Sequence, residues 1–208
     1  MNNLKGDRKK EMQAYKRQKI LDAAASLFRT KGIEGTTMRA IATAAGYSTG
    51  APYAYYQSKE DIYAELLSNS LSNLSKVVKT ASLTTDTPTI RIRNIFTSFF
   101  SYYHDHAEEL QLGLYLFSSG EVKKRGFSKS TNDQLNGKLL GLLGFMANSL
   151  NESEHINAQQ AQSETLDAIT FFIGTLMLGA TGRLNQFGAD QQEMIDRYVD
   201  QMLKRLSD

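Results

Sequence analysis

The chain has 208 residues, 41% of them hydrophobic and 22% charged, with a formal net charge of +2 and no cysteine. That composition is of a folded globular chain rather than a disordered one, and the lack of cysteine excludes disulfides, thiolate metal sites and a cysteine nucleophile. Residues 1–60 hold 11 Lys and Arg against 5 Asp and Glu, and residues 61–208 hold 13 against 17, so the end suited to a polyanion is the first one.

Two prolines, Pro52 and Pro88, and no sustained period-2 alternation leave helical spacing as the signal, and the chain reads as all-α. The basic N-terminus (Lys5, Arg8, Lys9, Lys10) is followed by no apolar stretch, so no signal peptide is expected. Residues about 11 to 31 put Ile20, Ala24, Leu27 and Phe28 on one face and stop at Lys31-Gly32, a first helix with a C-terminal glycine. A short helix follows from Thr37 to Ala44 with Thr36 as its N-cap, ended by Ala45-Gly46, and Ser48 caps a third that runs to about Tyr55. Ser58-Lys59-Glu60-Asp61 forms a capping box for a long fourth helix with Leu67, Leu71, Leu74, Val78 and Ala81 in its stripe.

Ser82 to Thr89 breaks that helix, and Ile92, Ile95, Phe96, Phe99, Phe100 and Tyr103 mark an aromatic fifth helix ending near His106. Ala107 to Ser119 reads as helix, Gly120 to Ser130 as a basic loop, and Leu135, Leu139, Leu142, Met146 and Leu150 as a further helix. Asn151 to Gln162 reads as a polar connection leading into a helix start. From Leu166 to Arg183 apolar residues lie on every side, closed by Gly188, and Asp190 with Glu193 opens the last helix. The sum is nine helices. The uncharged run Ala168 to Gly182, 15 residues, is shorter than the roughly 20 apolar residues of a membrane span, so no membrane partner is expected.

Thr37 to Ala44, Ala45-Gly46-Tyr47 and Ser48 to about Tyr55 have the form of two short helices joined by a glycine turn, a helix-turn-helix. Small Ala42 and Ala45 let the helices cross closely, and short Ser48, Thr49, Gly50 and Ala51 let the second approach a nucleic acid. Gly46-Tyr47-Ser48-Thr49-Gly50 also matches a hydrolase nucleophile elbow, but that motif needs a strand where this chain has a helix. His104 and His106, two apart, point to different sides of a helix and do not suggest a metal site. No cofactor and no catalytic residue is expected.

Lys19-Ile20-Leu21-Asp22-Ala23-Ala24, Leu27-Phe28, Gly32, Gly35-Thr36-Thr37-Met38-Arg39, Ile41-Ala42, Ala45-Gly46-Tyr47-Ser48-Thr49-Gly50 and Tyr53-Ala54-Tyr55-Tyr56-Gln57-Ser58-Lys59-Glu60 together resemble the TetR family of bacterial transcriptional regulators. The likeness covers about the first quarter of the chain. It implies a cytoplasmic homodimer, with a three-helix DNA-binding domain over residues 1–57 and a ligand-binding and dimerisation domain over 58–208. Carried over by position, Thr37, Arg39, Ser48, Thr49, Gly50, Tyr53, Tyr55 and Lys59 contact a palindromic double-stranded DNA operator. The basic N-terminus is then either a flexible arm adding phosphate or minor-groove contact, or a solubilising tail.

Two positions depart from the family. Pro52 stands where an apolar residue is usual, and its missing N–H removes the first intrahelical bond, so the helix starts tighter or later. Tyr56 stands where Phe is common, and its hydroxyl needs a partner if buried. In the second domain the resemblance implies a cavity for a small, largely apolar effector, walled by Phe96, Phe99, Phe100, Phe117, Phe145 and Phe172 with Tyr103, His104 and Thr175 as its polar groups. The all-round apolar helix needs cover on two sides, which a four-helix interface between protomers supplies. Leu166, Ile169, Ile173, Leu176 and Ala180 form one row of it and Ile195, Tyr198 and Met202 the other. The expected function is a repressor released by its ligand. The competing reading is an all-α enzyme or structural module with an incidental helix-turn-helix.

Overall fold

The computed structural model describes residues 2–118, 127–154 and 156–207. Among the described residues there are nine α-helices, one 3₁₀ turn (Pro52–Ala54) and no strand. The helices are α1 (Asn2–Lys31), α2 (Met38–Ala44), α3 (Lys59–Ala81), α4 (Pro88–Asp105), α5 (Ala107–Ser118), α6 (Lys129–Glu154), α7 (Ala158–Ala180), α8 (Arg183–Gln186) and α9 (Gln191–Ser207). The chain divides into two compact units, one of Met1–Asn69 with Gln111–Leu135, the other of Ser70–Leu110 with Asn136–Asp208.

In the first unit α1 begins at Asn2, well before the expected start near residue 11. Residues 6–19 are exposed throughout, so burial of apolar surface does not hold them. They lack proline and are mostly Lys, Arg, Glu, Gln and Met, which continue a helix once Ile20 to Phe28 anchor it. The basic N-terminus is therefore helical rather than a flexible arm. Ile20, Leu21, Ala24 and Phe28 are buried with Ile33, Met38, Ile41 and Ala42, each large side chain contributing about 1.5–3 kcal/mol of burial. Gly32 closes α1 with φ of 69°, its N–H donating to the Phe28 carbonyl at 2.9 Å. The N-cap of α2 is Thr37, whose Oγ1 accepts from the Ala40 N–H at 3.1 Å. Thr36, expected in that role, is instead buried, and its hydroxyl donates to the Gly32 carbonyl at 2.7 Å.

The capping box that opens α3 forms as expected: Asp61 N–H donates to Ser58 Oγ at 3.2 Å, and Ser58 N–H to Asp61 Oδ2 at 3.1 Å. In the second unit α4, α7 and α9 pack on one another. Ile92, Ile95, Phe96, Phe99 and Phe100 meet a core shared with Ala168, Phe172 and Leu176 and with Ile195, Val199 and Met202. α7 starts at Ala158, inside the segment expected to hold a polar connection and a helix start, where Asn157 caps it, Oδ1 accepting from Gln160 N–H at 2.9 Å. It also stops before Arg183: Gly182 adopts φ of 68°, and the separate turn α8 is followed by Gly188, with φ of 64°. Asp190 caps α9 through the Glu193 N–H at 3.0 Å. No helix among the described residues is long and apolar enough to cross a membrane.

Candidate nucleic-acid interface

α2 ends in the turn that its sequence requires. Gly46 takes φ of 77°, a left-handed conformation that costs an L-residue roughly 1–2 kcal/mol. The Tyr47 N–H reaches back to the Ala42 carbonyl at 2.9 Å. Beyond the turn the expected third α-helix is absent, and a tighter coil takes its place. Ala51 N–H donates to Ser48 O at 2.9 Å, Tyr53 to Gly50 O and Ala54 to Ala51 O at 3.2 Å, and Tyr55 to Pro52 O at 2.9 Å, all three residues apart. In an α-helix starting at Ser48, the Ser48 carbonyl would accept from residue 52, which as proline has no N–H. The segment tightens by one residue per bond instead, with Pro52 buried.

This coil and the first turn of α2 frame an open groove of about 440 Å³. Thr37, Arg39, Thr49, Tyr53 and Lys59 line it, bringing together five of the eight residues carried over by position. Thr37, Arg39, Thr49 and Tyr53 are exposed, Tyr53 by 57%. Ser48 and Gly50 are exposed beside the groove rather than along it. Tyr55 is half-buried and lines a separate crevice with Arg17, Asp61 and Glu65.

Lys59 is differently engaged from the rest. Its Nζ donates to the Ile33 carbonyl at 2.6 Å and the Thr36 carbonyl at 3.1 Å, with the Glu34 carbonyl at 3.5 Å. An ammonium has three hydrogens and all three have an acceptor here. The geometry makes Lys59 a pin for the α1–α2 link, whereas the family resemblance implies a DNA contact.

Sequence reading missed Arg17 and Glu65. Tyr56 is 5% exposed, and the partner its hydroxyl requires is Arg17, whose Nε donates to it at 3.1 Å while Nη2 pairs with Glu65 at 2.5 Å. The guanidinium also lies 5.6 Å from the centre of the Tyr56 ring. Burial pushes the Tyr56 hydroxyl up to about 12, against the lowering effect of the Arg17 hydrogen bond. A contact across 39 residues has no local signature, and only the requirement of a buried Tyr hydroxyl hinted at it.

In the second unit Phe96, Phe99, Phe100, Tyr103 and Phe172 are buried. Phe99 packs on Tyr103 at 5.3 Å between ring centres and on Phe172 at 6.4 Å, and Phe100 on Phe172 at 6.4 Å. Thr175 is buried with its hydroxyl donating to the Phe171 carbonyl at 2.9 Å. Phe145 is half-buried under the Lys79 ammonium at 5.7 Å, and His104 is exposed. The side chain of Phe117 lies outside the described residues. Of the expected interface row on α7, Leu166 (54%) and Ala180 are exposed and Ile169 and Ile173 partly so, with Met177 (50%) and Leu178 beside them. Leu176, Ile195 and Met202 are buried in this chain's own core, and Tyr198 stacks on Phe171 at 4.5 Å.

Residues 20–66 match the model of the bacterial regulatory proteins of the tetR family. The chain is 34% identical over 94 residues to the HTH-type transcriptional repressor KstR2 of Mycobacterium tuberculosis, covering 45% of this chain and 47% of that protein. It is 38% identical over 71 residues to the HTH-type transcriptional regulator AcrR of Shigella flexneri, 34% of this chain and 33% of that one. The match thus spans less than half the length of these curated relatives. The fold is similar to that of the TetR family transcriptional regulator PfmR from Thermus thermophilus, with a TM-score of 0.67 and 21% identity over 88% of this chain and 93% of that one.

Proposed function

We propose that this chain, whose residues 20–66 match the tetR-family model, is a sequence-specific DNA-binding transcriptional regulator of that family, a cytoplasmic homodimeric repressor released from its operator by a small, largely apolar ligand. Residues 1–57 are assigned to DNA, residues 58–208 to ligand and partner. The reading rests on one observation, the groove where Thr37, Arg39, Thr49 and Tyr53 converge beside the Gly46 turn. Threonine and tyrosine hydroxyls suit phosphate oxygens, and Arg39 suits a base edge such as the O6 and N7 of guanine. The basic α1 extension supplies sequence-independent attraction to the backbone.

The exposed side of α7, with Leu166, Ile169, Ile173 and Ala180, supports dimerisation, since a half-apolar face of this size needs cover. A two-fold pair sets two reading turns one helical repeat of DNA, about 34 Å, or slightly more apart. The effector is assigned to the second unit. Selection of binding sites from random duplex DNA by the purified chain tests the whole reading. A palindromic consensus is the expected result; a pool with no enriched sequence would count against sequence-specific binding.

A further inference from the structure

Within the second unit, an open groove of about 450 Å³ runs between the C-terminal half of α3 and α4. Val77 and Ala81 give it apolar surface, and Tyr102 an aromatic ring. Four of its hydroxyls share one property. Thr84 Oγ1 donates to the Ala81 carbonyl, Thr97 Oγ1 to the Arg93 carbonyl and Ser98 Oγ to the Ile95 carbonyl, each at 2.8 Å, and the Tyr102 hydroxyl donates to Glu109 Oε2 at 2.6 Å. A hydroxyl has one hydrogen, so none of these four has one left to donate; Thr84 Oγ1 already accepts from Asn94 Nδ2 at 2.8 Å and the Tyr102 hydroxyl from Asn73, which leaves Thr97 and Ser98 as the uncommitted acceptors.

His106 adds to the same pattern. Its Nδ1 lies 2.8 Å from the Tyr102 carbonyl, and a carbonyl only accepts, so Nδ1 carries the hydrogen and neutral His106 keeps a lone pair on Nε2. The ring is held in place by stacking on Tyr102 at 4.5 Å. Asp105 brings a carboxylate to the groove, one oxygen of which lies 3.2 Å from His104 Nδ1, and among the described residues neither lysine nor arginine lines it. Apart from the Asn94 amide and the Ser101 hydroxyl, an anion or an acceptor-rich molecule meets lone pairs along this wall, whereas N–H donors on a positive group meet acceptors in Thr97, Ser98, the imidazole and the carboxylate.

We propose that this groove is the effector site and that the effector is a small organic cation, an amine, amidine or guanidine carried on an apolar or aromatic body. The proposal rests on the ligand-responsive regulator reading and names the site and ligand chemistry that reading leaves open. Such a molecule ties α3 to α4 within the unit, and α3 is the same helix whose first residues, Lys59 and Glu60, border the candidate DNA groove.

The test titrates benzamidinium into the full chain by calorimetry, with tetraphenylphosphonium, a cation without N–H, and benzoate, an anion, as controls. Thr97→Val and Asp105→Asn are measured alongside, each checked for an unchanged melting temperature. Saturable binding of benzamidinium alone is expected, weakened about fivefold by either substitution. Absence of that binding, equal binding of benzoate, or native-like affinity in both variants overturns the site. In a second arm benzamidinium is added to the complex with a selected operator. A loss of operator affinity in the native chain and not in the variants supports the effector role, and binding that leaves operator affinity unchanged overturns it. A chain that binds benzamidinium in this groove yet selects no operator upholds the site and defeats the regulator reading, so the two fail separately.

Discussion

Lys59 and Tyr56 show how one residue's surroundings decide its role. Lys59 holds three carbonyls of the α1–α2 link, which fixes where Thr37 and Arg39 stand. Lys59→Met should therefore lower stability by about 1–3 kcal/mol in urea titration, the range for charge-assisted bonds lost with acceptors left behind. The slope of log affinity against log salt should stay at its native value, because no phosphate contact is removed; a slope smaller by about one would return Lys59 to the DNA. Tyr56→Phe leaves the Arg17–Glu65 pair in place and removes one hydrogen bond, at a cost of about 0.5–1.5 kcal/mol. Combined with Arg17→Met the losses should be less than additive, and strict additivity in the double-mutant cycle would mean the two side chains do not cooperate.

Among the elements, the reading segment is governed by Pro52 and Gly46. Pro52→Leu restores an N–H opposite the Ser48 carbonyl and keeps an apolar side chain at a buried position. The coil from Ser48 should then relax toward an α-helix, seen as hydrogen-exchange protection at residue 52, and the selected DNA sequence should change as Thr49 and Tyr53 rotate. Unchanged selectivity with a protected amide would show that the tight coil has no part in recognition. At Gly46 a Cβ meets nothing within 4 Å, so Gly46→Ala isolates the backbone strain of φ 77°. Its expected cost in thermal or urea unfolding is about 1–2 kcal/mol.

Across the molecule, the two sides of α7 make opposite demands. Phe172 is fully buried, and Phe172→Ala should cost about 3–5 kcal/mol of stability whatever the oligomeric state. Leu166 and Met177 are half-exposed, so Leu166→Asp with Met177→Asp should leave the fold intact while halving the mass in sedimentation and weakening operator binding. An unchanged mass would move the protomer interface elsewhere. Binding to one operator half-site by the resulting monomer should be much weaker than to the full palindrome, since linked half-sites bind with the advantage of high effective concentration.

Features that depend on neighbours close along the chain were legible before any fold was known. Periodicity pointed to the all-α class, the capping motifs at Ser58 and Asp190 marked two helix starts, and glycine at 32 and 46 marked two left-handed turns. These are set within a few residues by hydrogen bonds and backbone sterics. The same ordered string of short motifs carried the family. The N-cap of α2 went to Thr37 because burial of Thr36 was decided by Lys59 and the core, well outside the local window. The partner of Tyr56, the three acceptors of Lys59, and which side of α7 is buried are likewise set by segments far apart in sequence. An all-round apolar helix has no inward face until its neighbours are placed, and a long cation has no fixed acceptor until the chain around it closes. Those assignments belong to tertiary packing alone.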